Sequence, residues 1–266
     1  MLMKKSTFSL FALILFLFPV FMLVLQSVSE TWRFQSGEGI QFQLDSFDVL
    51  LSDPNLWEAT GWSFLIGTVV LLINLVIGLG TGKALTLYSF RGKSLVEAIL
   101  LAPILIPVLA IAMGLHLFMI RVGLADTWLG VVLIHLVPTV PYSIKIFHNA
   151  YRQLGVSMME QPLTLGSSPL YQLFTIELPL MKPAIRSVTF LTIVISLSQY
   201  AITAIIGGGN VITLPMIFFP FLDTANAAIM AAFSIWFSFL PFGMYVLVEG
   251  ALLLLPYSKK PWRISQ

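Results

Sequence analysis

The sequence has no cysteine, which excludes a disulfide framework, a thiolate metal site and a catalytic thiol. Charge is scarce too: Asp, Glu, Lys and Arg make up 10% of the 266 residues. No phosphate-binding Gly-x-x-x-x-Gly-Lys-Ser/Thr run occurs, so any dependence on ATP requires a separate ATPase. The nearest approach, Gly78-x-x-x-Gly82-Lys83-Ala84, has three residues between its glycines instead of four, and alanine follows the lysine. Close helix packing at small residues is the better reading of it. The three histidines, His116, His135 and His148, show no metal-ligand spacing, and no paired carboxylates sit within an apolar run. Nothing here makes an active site, a metal site, a cofactor site or a nucleic-acid site.

Apolar residues are abundant instead. They make up 58% of the chain, and mean hydropathy is +0.95. That composition belongs to a chain with several membrane spans, and an all-α polytopic fold with six transmembrane helices is expected. The first span is Phe8 to Val28, kinked at Pro19. It is read as a retained helix in preference to a signal peptide, for which Ser27-Val28-Ser29 offers a small-x-small site. The others are Trp62 to Leu87, Ser94 to Ile120, Trp128 to Phe147, 187–206 and Ala225 to Leu255. Ser94-Leu95-Val96-Glu97 reads as a capping box for the third, which Pro103 and Pro107 bend. Pro138 and Pro141 bend the fourth. Asp53-Pro54 opens a short external helix carrying Trp57. The segment after Gly207-Gly208-Gly209-Asn210, with Pro215 and Pro220, can partly re-enter the membrane.

Orientation follows from lysine and arginine. Lys4, Lys5, Lys83, Arg91, Lys93, Lys145, Arg152, Lys182, Arg186, Lys259, Lys260 and Arg263 fall on one side, and only Arg33 and Arg121 on the other. This asymmetry puts both termini in the cytoplasm. Residues 29–59 carry Glu30, Glu38, Asp45, Asp48, Asp53 and Glu58 and lie outside. Glu249, near the tail, reaches the interface and does not bind an ion.

One cytoplasmic connection has an internal pattern, Glu160 to Pro179, EQPLTLGSSPLYQLFTIELP. Pro162 suits a first helical turn, Gly166 a left-handed stop, and Ser168-Pro169 a new start. Leu170, Leu173 and Phe174 share a face, and Pro179 ends the second helix. The run resembles the EAA loop of permeases from type I ABC importers: E-A-A, three residues, G, nine residues, I-x-L-P. Glu160, Gly166, Ile176, Leu178 and Pro179 fall in register, while Gln161 and Pro162 replace the two alanines. The resemblance covers roughly residues 60–255 and is greatest to the branch serving ferric iron, spermidine/putrescine and thiamine. It divides the chain into 1–59, a permease domain at 60–255 and a tail at 256–266.

That resemblance implies a multi-pass inner-membrane permease subunit working by alternating access. Its partners would be ABC ATPase subunits docked on the 160–179 loop, a second permease (the same or a related chain) and an external solute-binding protein. Separately, Thr189, Thr192, Ser196, Gln199 and Thr203 recur at intervals of 3, 4, 3 and 4 along the fifth span. At about 100° per residue they form one stripe, either lining a translocation path or joining helices by hydroxyl bonds. His135 is a further path candidate. An ion-coupled secondary transporter would want charges near the bilayer midplane, and the spans show almost none. A non-transporting scaffold subunit is opposed only by the loop and the stripe.

Overall fold

The computed structural model describes residues 2–29, 41–221 and 226–255. Residues 30–40, with Arg33, lie outside that set, as does everything from Pro256 on, including Lys259, Lys260 and Arg263. Among the described residues there is no strand, only an isolated antiparallel bridge between Ser29 and Phe42. The helices are α1 (Leu2–Ser27), α2 (Asp45–Leu51), α3 (Pro54–Leu87), α4 (Lys93–Leu101), α5 (Val108–Arg121) and α6 (Trp128–Leu154). They continue with α7 (Val156–Thr164), α8 (Pro169–Gln172), α9 (Leu178–Leu180), α10 (Lys182–Leu197), α11 (Tyr200–Gly207), α12 (Leu214–Phe221) and α13 (Ala227–Leu253).

Four helical stretches are long and apolar enough to cross a membrane: Thr7–Ser27, Pro54–Leu87, Trp128–Leu154 and Ala227–Leu253. Two bent pairs raise the number to six if each is one span: Lys93–Ile104 with Val108–Arg121, bent by 96°, and Pro169–Leu180 with Lys182–Leu197, bent by 73°. Large apolar side chains such as Phe8, Phe16, Leu72, Val76 and Met113 are exposed on these helices, as lipid contact requires.

The α3–α6 pair is the spine. α10 packs on both, α11 on α5 and α6, and α13 on α10, α2 and α1. The spine is tight because glycine faces it. A Cβ on Gly82 would lie 2.7 Å from the His148 nitrogen and 2.8 Å from Phe147 Cβ; one on Gly78 would lie 2.7 Å from the Phe147 ring. The Gly78-x-x-x-Gly82 spacing is therefore a helix-packing surface, as its sequence suggests.

Several boundaries differ from the sequence expectation. Asp53 does cap a helix, accepting from the Asn55 N–H at 2.9 Å, but that helix is the 34-residue α3, which carries Trp57 straight into the span; the separate short helix is α2, before Asp53. The cap is ideal and nothing after it breaks the pattern, so the turn propagates into the span. The Ser94–Glu97 capping box does not form. α4 starts one residue earlier, and Gly92, at φ +86°, occupies the cap without a side-chain bond. Lys93 instead folds back to donate to the Leu85 and Tyr88 carbonyls at the end of α3. Pro103 and Pro107 break the third span through a short tight turn, Ala102–Ile104, and do not merely bend it. By contrast, Pro138 and Pro141 sit inside an uninterrupted α6. The fifth span starts at Lys182 and stops at Leu197; Ser198 and Gln199 separate it from α11. After the glycine turn, α12 folds back onto α3, where the Leu214 N–H donates to Ser63 Oγ at 2.8 Å.

Candidate coupling loop and buried polar network

The loop between α6 and α10 begins at Gly155, where α6 ends. α7 runs from Val156, so Pro162 lies in its interior and not in its first turn. α7 closes with a Schellman arrangement: the Ser167 N–H donates to the Pro162 carbonyl at 3.0 Å across Gly166, which has φ +82°. Ser168 then caps α8, accepting from the Tyr171 N–H at 3.3 Å, with Pro169 in the first turn. α8 does not stop at Pro179. It passes through a wide π turn, Leu173–Glu177, and through α9, and the chain bends only at Met181. Pro179 is tolerated there because it falls in the first turn after the π turn.

The motif residues occupy two kinds of place. Glu160 and Gly166 are exposed; Ile176, Leu178 and Pro179 are half-buried at the root of the loop. Around them an apolar surface is open: Leu165 is 86% exposed and Leu170 69%, with Tyr171 and Phe174 beside them. Inside the loop, Gln172 Nε2 donates to the Met159 carbonyl at 2.8 Å and ties α8 to α7. Leu173, placed with Leu170 and Phe174 by the sequence spacing, is half-buried, whereas the other two are exposed.

Deeper in the bundle the polar stripe is divided. Thr189, Thr192 and Ser196 lie on α10 and Thr203 on α11, all buried; Gln199 is half-buried at the break between the two helices. The helix break means the five do not form one continuous helical face. His135, 2% exposed, joins two of them: Nδ1 to Ser196 Oγ at 2.8 Å and Nε2 to Thr203 Oγ1 at 2.9 Å. Thr203 Oγ1 also lies within bonding reach of the Gln199 carbonyl. Thr189 Oγ1 has no hydrogen-bond partner.

The network extends through residues that sequence reasoning missed. Thr139 Oγ1 donates to the His135 carbonyl at 2.8 Å and accepts from Asn74 Nδ2 at 2.8 Å. Ser143 Oγ donates to Asn74 Oδ1 at 2.8 Å. α3, α6, α10 and α11 are therefore joined at mid-bundle by neutral groups alone. Asn74 stands in a long apolar run, and that isolation was the available signal.

At the loop end, charge appears. Glu177, within Ile176-Glu177-Leu178-Pro179, is 1% exposed. Its carboxylate accepts from Lys83 Nζ of α3 at 2.5 Å and from Tyr151 Oη of α6 at 2.9 Å. Arg186 grips Glu249 of α13 with two bonds, at 2.5 and 2.7 Å. Glu249 thus pairs with a base on a neighbouring span. Among the described residues no group of histidines or acids could hold a metal ion.

Known proteins agree with this architecture. The chain is 33% identical over 137 residues to the molybdate/tungstate transport system permease protein WtpB of Pyrococcus abyssi, covering 52% of this chain and 55% of that one. It is 26% identical over 208 residues to the putrescine transport system permease protein PotI of Escherichia coli, covering 76% of this chain and 73% of that one. It thus spans about half the length of the first and nearly three quarters of the second. Among solved structures, a chain of a bacterial ABC transporter that imports the acidic polysaccharide alginate superimposes with a TM-score of 0.69, at 18% identity, over 94% of this chain and 95% of that one. Residues 74–252, two thirds of the sequence, match a single family, so the chain belongs to the binding-protein-dependent transport system inner membrane components.

Proposed function

We propose that this chain is the permease subunit of an ATP-driven, binding-protein-dependent importer, driven by ATPase subunits that dock on residues 160–179. The observation that carries the reading is the loop itself. It is a folded two-helix unit with a corner at Gly166, and it presents Leu165, Leu170, Tyr171 and Phe174 to the surface while Ile176, Leu178 and Pro179 anchor the root. An apolar surface of this kind on a loop between spans is suited to a protein partner. ATP hydrolysis belongs to that partner. A second permease, the same or related, completes the path, and an external solute-binding protein delivers the solute. The asymmetry of lysine and arginine supports an inner-membrane orientation with both termini and the loop in the cytoplasm. On this reading residues 60–255 are the permease domain, 1–59 supply an extra span and external segment, and 256–266 form the tail.

For the polar stripe, the bonds of Ser196 and Thr203 to His135 favour helix joining at those two positions. Thr189 and Thr192 are buried, and Gln199, half-buried at the helix break, is the member that borders the path.

Gly166→Val tests the coupling role. A branched side chain at φ +82° costs about 1–2 kcal/mol and opens the corner. Glu160→Lys reverses charge on the exposed face. Both variants should accumulate normally in the membrane yet lose co-purifying ATPase. Wild-type recovery of ATPase with both would refute the docking assignment, as would solute uptake by the chain without any ATPase.

A further inference from the structure

We propose that Glu177 is the pin through which the docking loop moves the spans, a positioning residue with Lys83 and Tyr151 as its two seats. The inference rests on the importer reading given above. Glu177 cannot itself meet a docked partner, because it is 1% exposed. It cannot serve as a mid-membrane ion site either, because it sits in the docking loop and both its oxygens are engaged. What it does is join three elements. The π turn at Leu173–Glu177 shifts the helical phase, so Tyr171 and Phe174 face out while Glu177 faces the bundle. One carboxylate oxygen then holds Lys83 on α3, and the other holds the Tyr151 hydroxyl on α6.

Those two helices already act as one body, since Gly82 brings α3 against the His148 backbone and the Phe147 side chain next to this site. A displacement of the loop is therefore delivered to the α3–α6 pair as a whole. The same pair carries Asn74, Thr139 and His135, whose bonds reach α10 and α11. The pin is the only charged link between the loop and this pair among the described residues. A charge-assisted bond is shorter and more directional than the apolar contacts of the loop root.

The test uses the full chain with its ATPase partner in membranes, and a reporter cysteine, Gln199→Cys, in this cysteine-free sequence. ATP with orthovanadate should change the N-ethylmaleimide labelling rate of the reporter by about five-fold or more, the usual scale of coupling between sites. With Glu177→Gln, or Glu177→Gln combined with Lys83→Met, the ATPase should still co-purify and hydrolyse ATP, but the labelling rate should no longer respond. The double variant leaves no unpaired charge, so a response restored to wild-type size in it would reduce the pair to charge neutralisation and overturn the proposal. Loss of ATPase binding together with the response would also overturn it, by making Glu177 part of the dock. If the importer reading itself is wrong, the failure looks different: the chain carrying only the reporter retains no ATPase.

Discussion

At Gly82 a single missing side chain sets the distance between two spans. Because a Cβ there would lie within 3 Å of both His148 and Phe147, Gly82→Val must separate α3 from α6 or distort one of them. Overpacking of this kind costs about 1–3 kcal/mol. The melting temperature of the purified chain in detergent should fall, and an unchanged midpoint would contradict the packing described. Asn74 makes a complementary case. Asn74→Ala removes two buried bonds between α3 and α6 and leaves the Thr139 and Ser143 hydroxyls only their own helix carbonyls, at a cost of about 1–3 kcal/mol for the pair of bonds. The same melt should show it, whereas Thr68→Ala, on the exposed side of α3, should leave the midpoint nearly unchanged. These residues also mark how far sequence reading reaches. The glycine pair announced itself by spacing. Asn74 did not, because its partners lie 65 and 69 residues away and only the packing of α3 on α6 brings them together. Glu177 was hidden for a similar reason: it occupies the variable position of a recognised motif, and its burial depends on a π turn that no local rule predicts.

At the scale of elements, the long helices were legible and their interruptions were not. Apolar length located α1, α3, α6 and α13. Proline behaved differently in three contexts: it broke the third span at Pro103 and Pro107, left α6 continuous at Pro138 and Pro141, and was absorbed inside α7 at Pro162. In α6 the neighbouring helices hold the turn together, which local sequence does not encode. α6 is packed by α3 and α10 on its buried faces, whereas residues 104–107 are exposed. The loop between α6 and α10 was read well at its corner, where Gly166 turns and Ser168 caps, and less well where Pro162 suggested a start and Pro179 an end. The break at Ser198 likewise split a stripe that the period had drawn as continuous. It also gives a measurable contrast. A cysteine at Gln199 should react with a small water-soluble maleimide, and cysteines at Thr189 and Thr192 should stay protected. Equal protection at all three positions would place the path elsewhere.

At the scale of the whole molecule, the arrangement is a tightly packed α3–α6 spine with the folded 155–181 loop at one end and a polar junction midway along. α10 and α11 lean on the spine through His135, and α13 is clamped to α10 by Arg186 and Glu249. Among the described residues, the junction that joins α3, α6, α10 and α11 is built from Asn74, His135, Thr139, Ser143, Ser196 and Thr203, with no Asp, Glu, Lys or Arg among them. The claim on which the rest depends is that Leu170 and its neighbours face an ATPase in the cytoplasm. The direct measurement is to place a single cysteine at Leu170, attach a benzophenone maleimide, irradiate intact membranes and identify the product by mass spectrometry. The account expects one major adduct, an ATPase subunit bearing a phosphate-binding loop, and no modification of Leu170→Cys by an impermeant maleimide applied from outside. Labelling from outside, or an adduct confined to lipid or to an external protein, would contradict it.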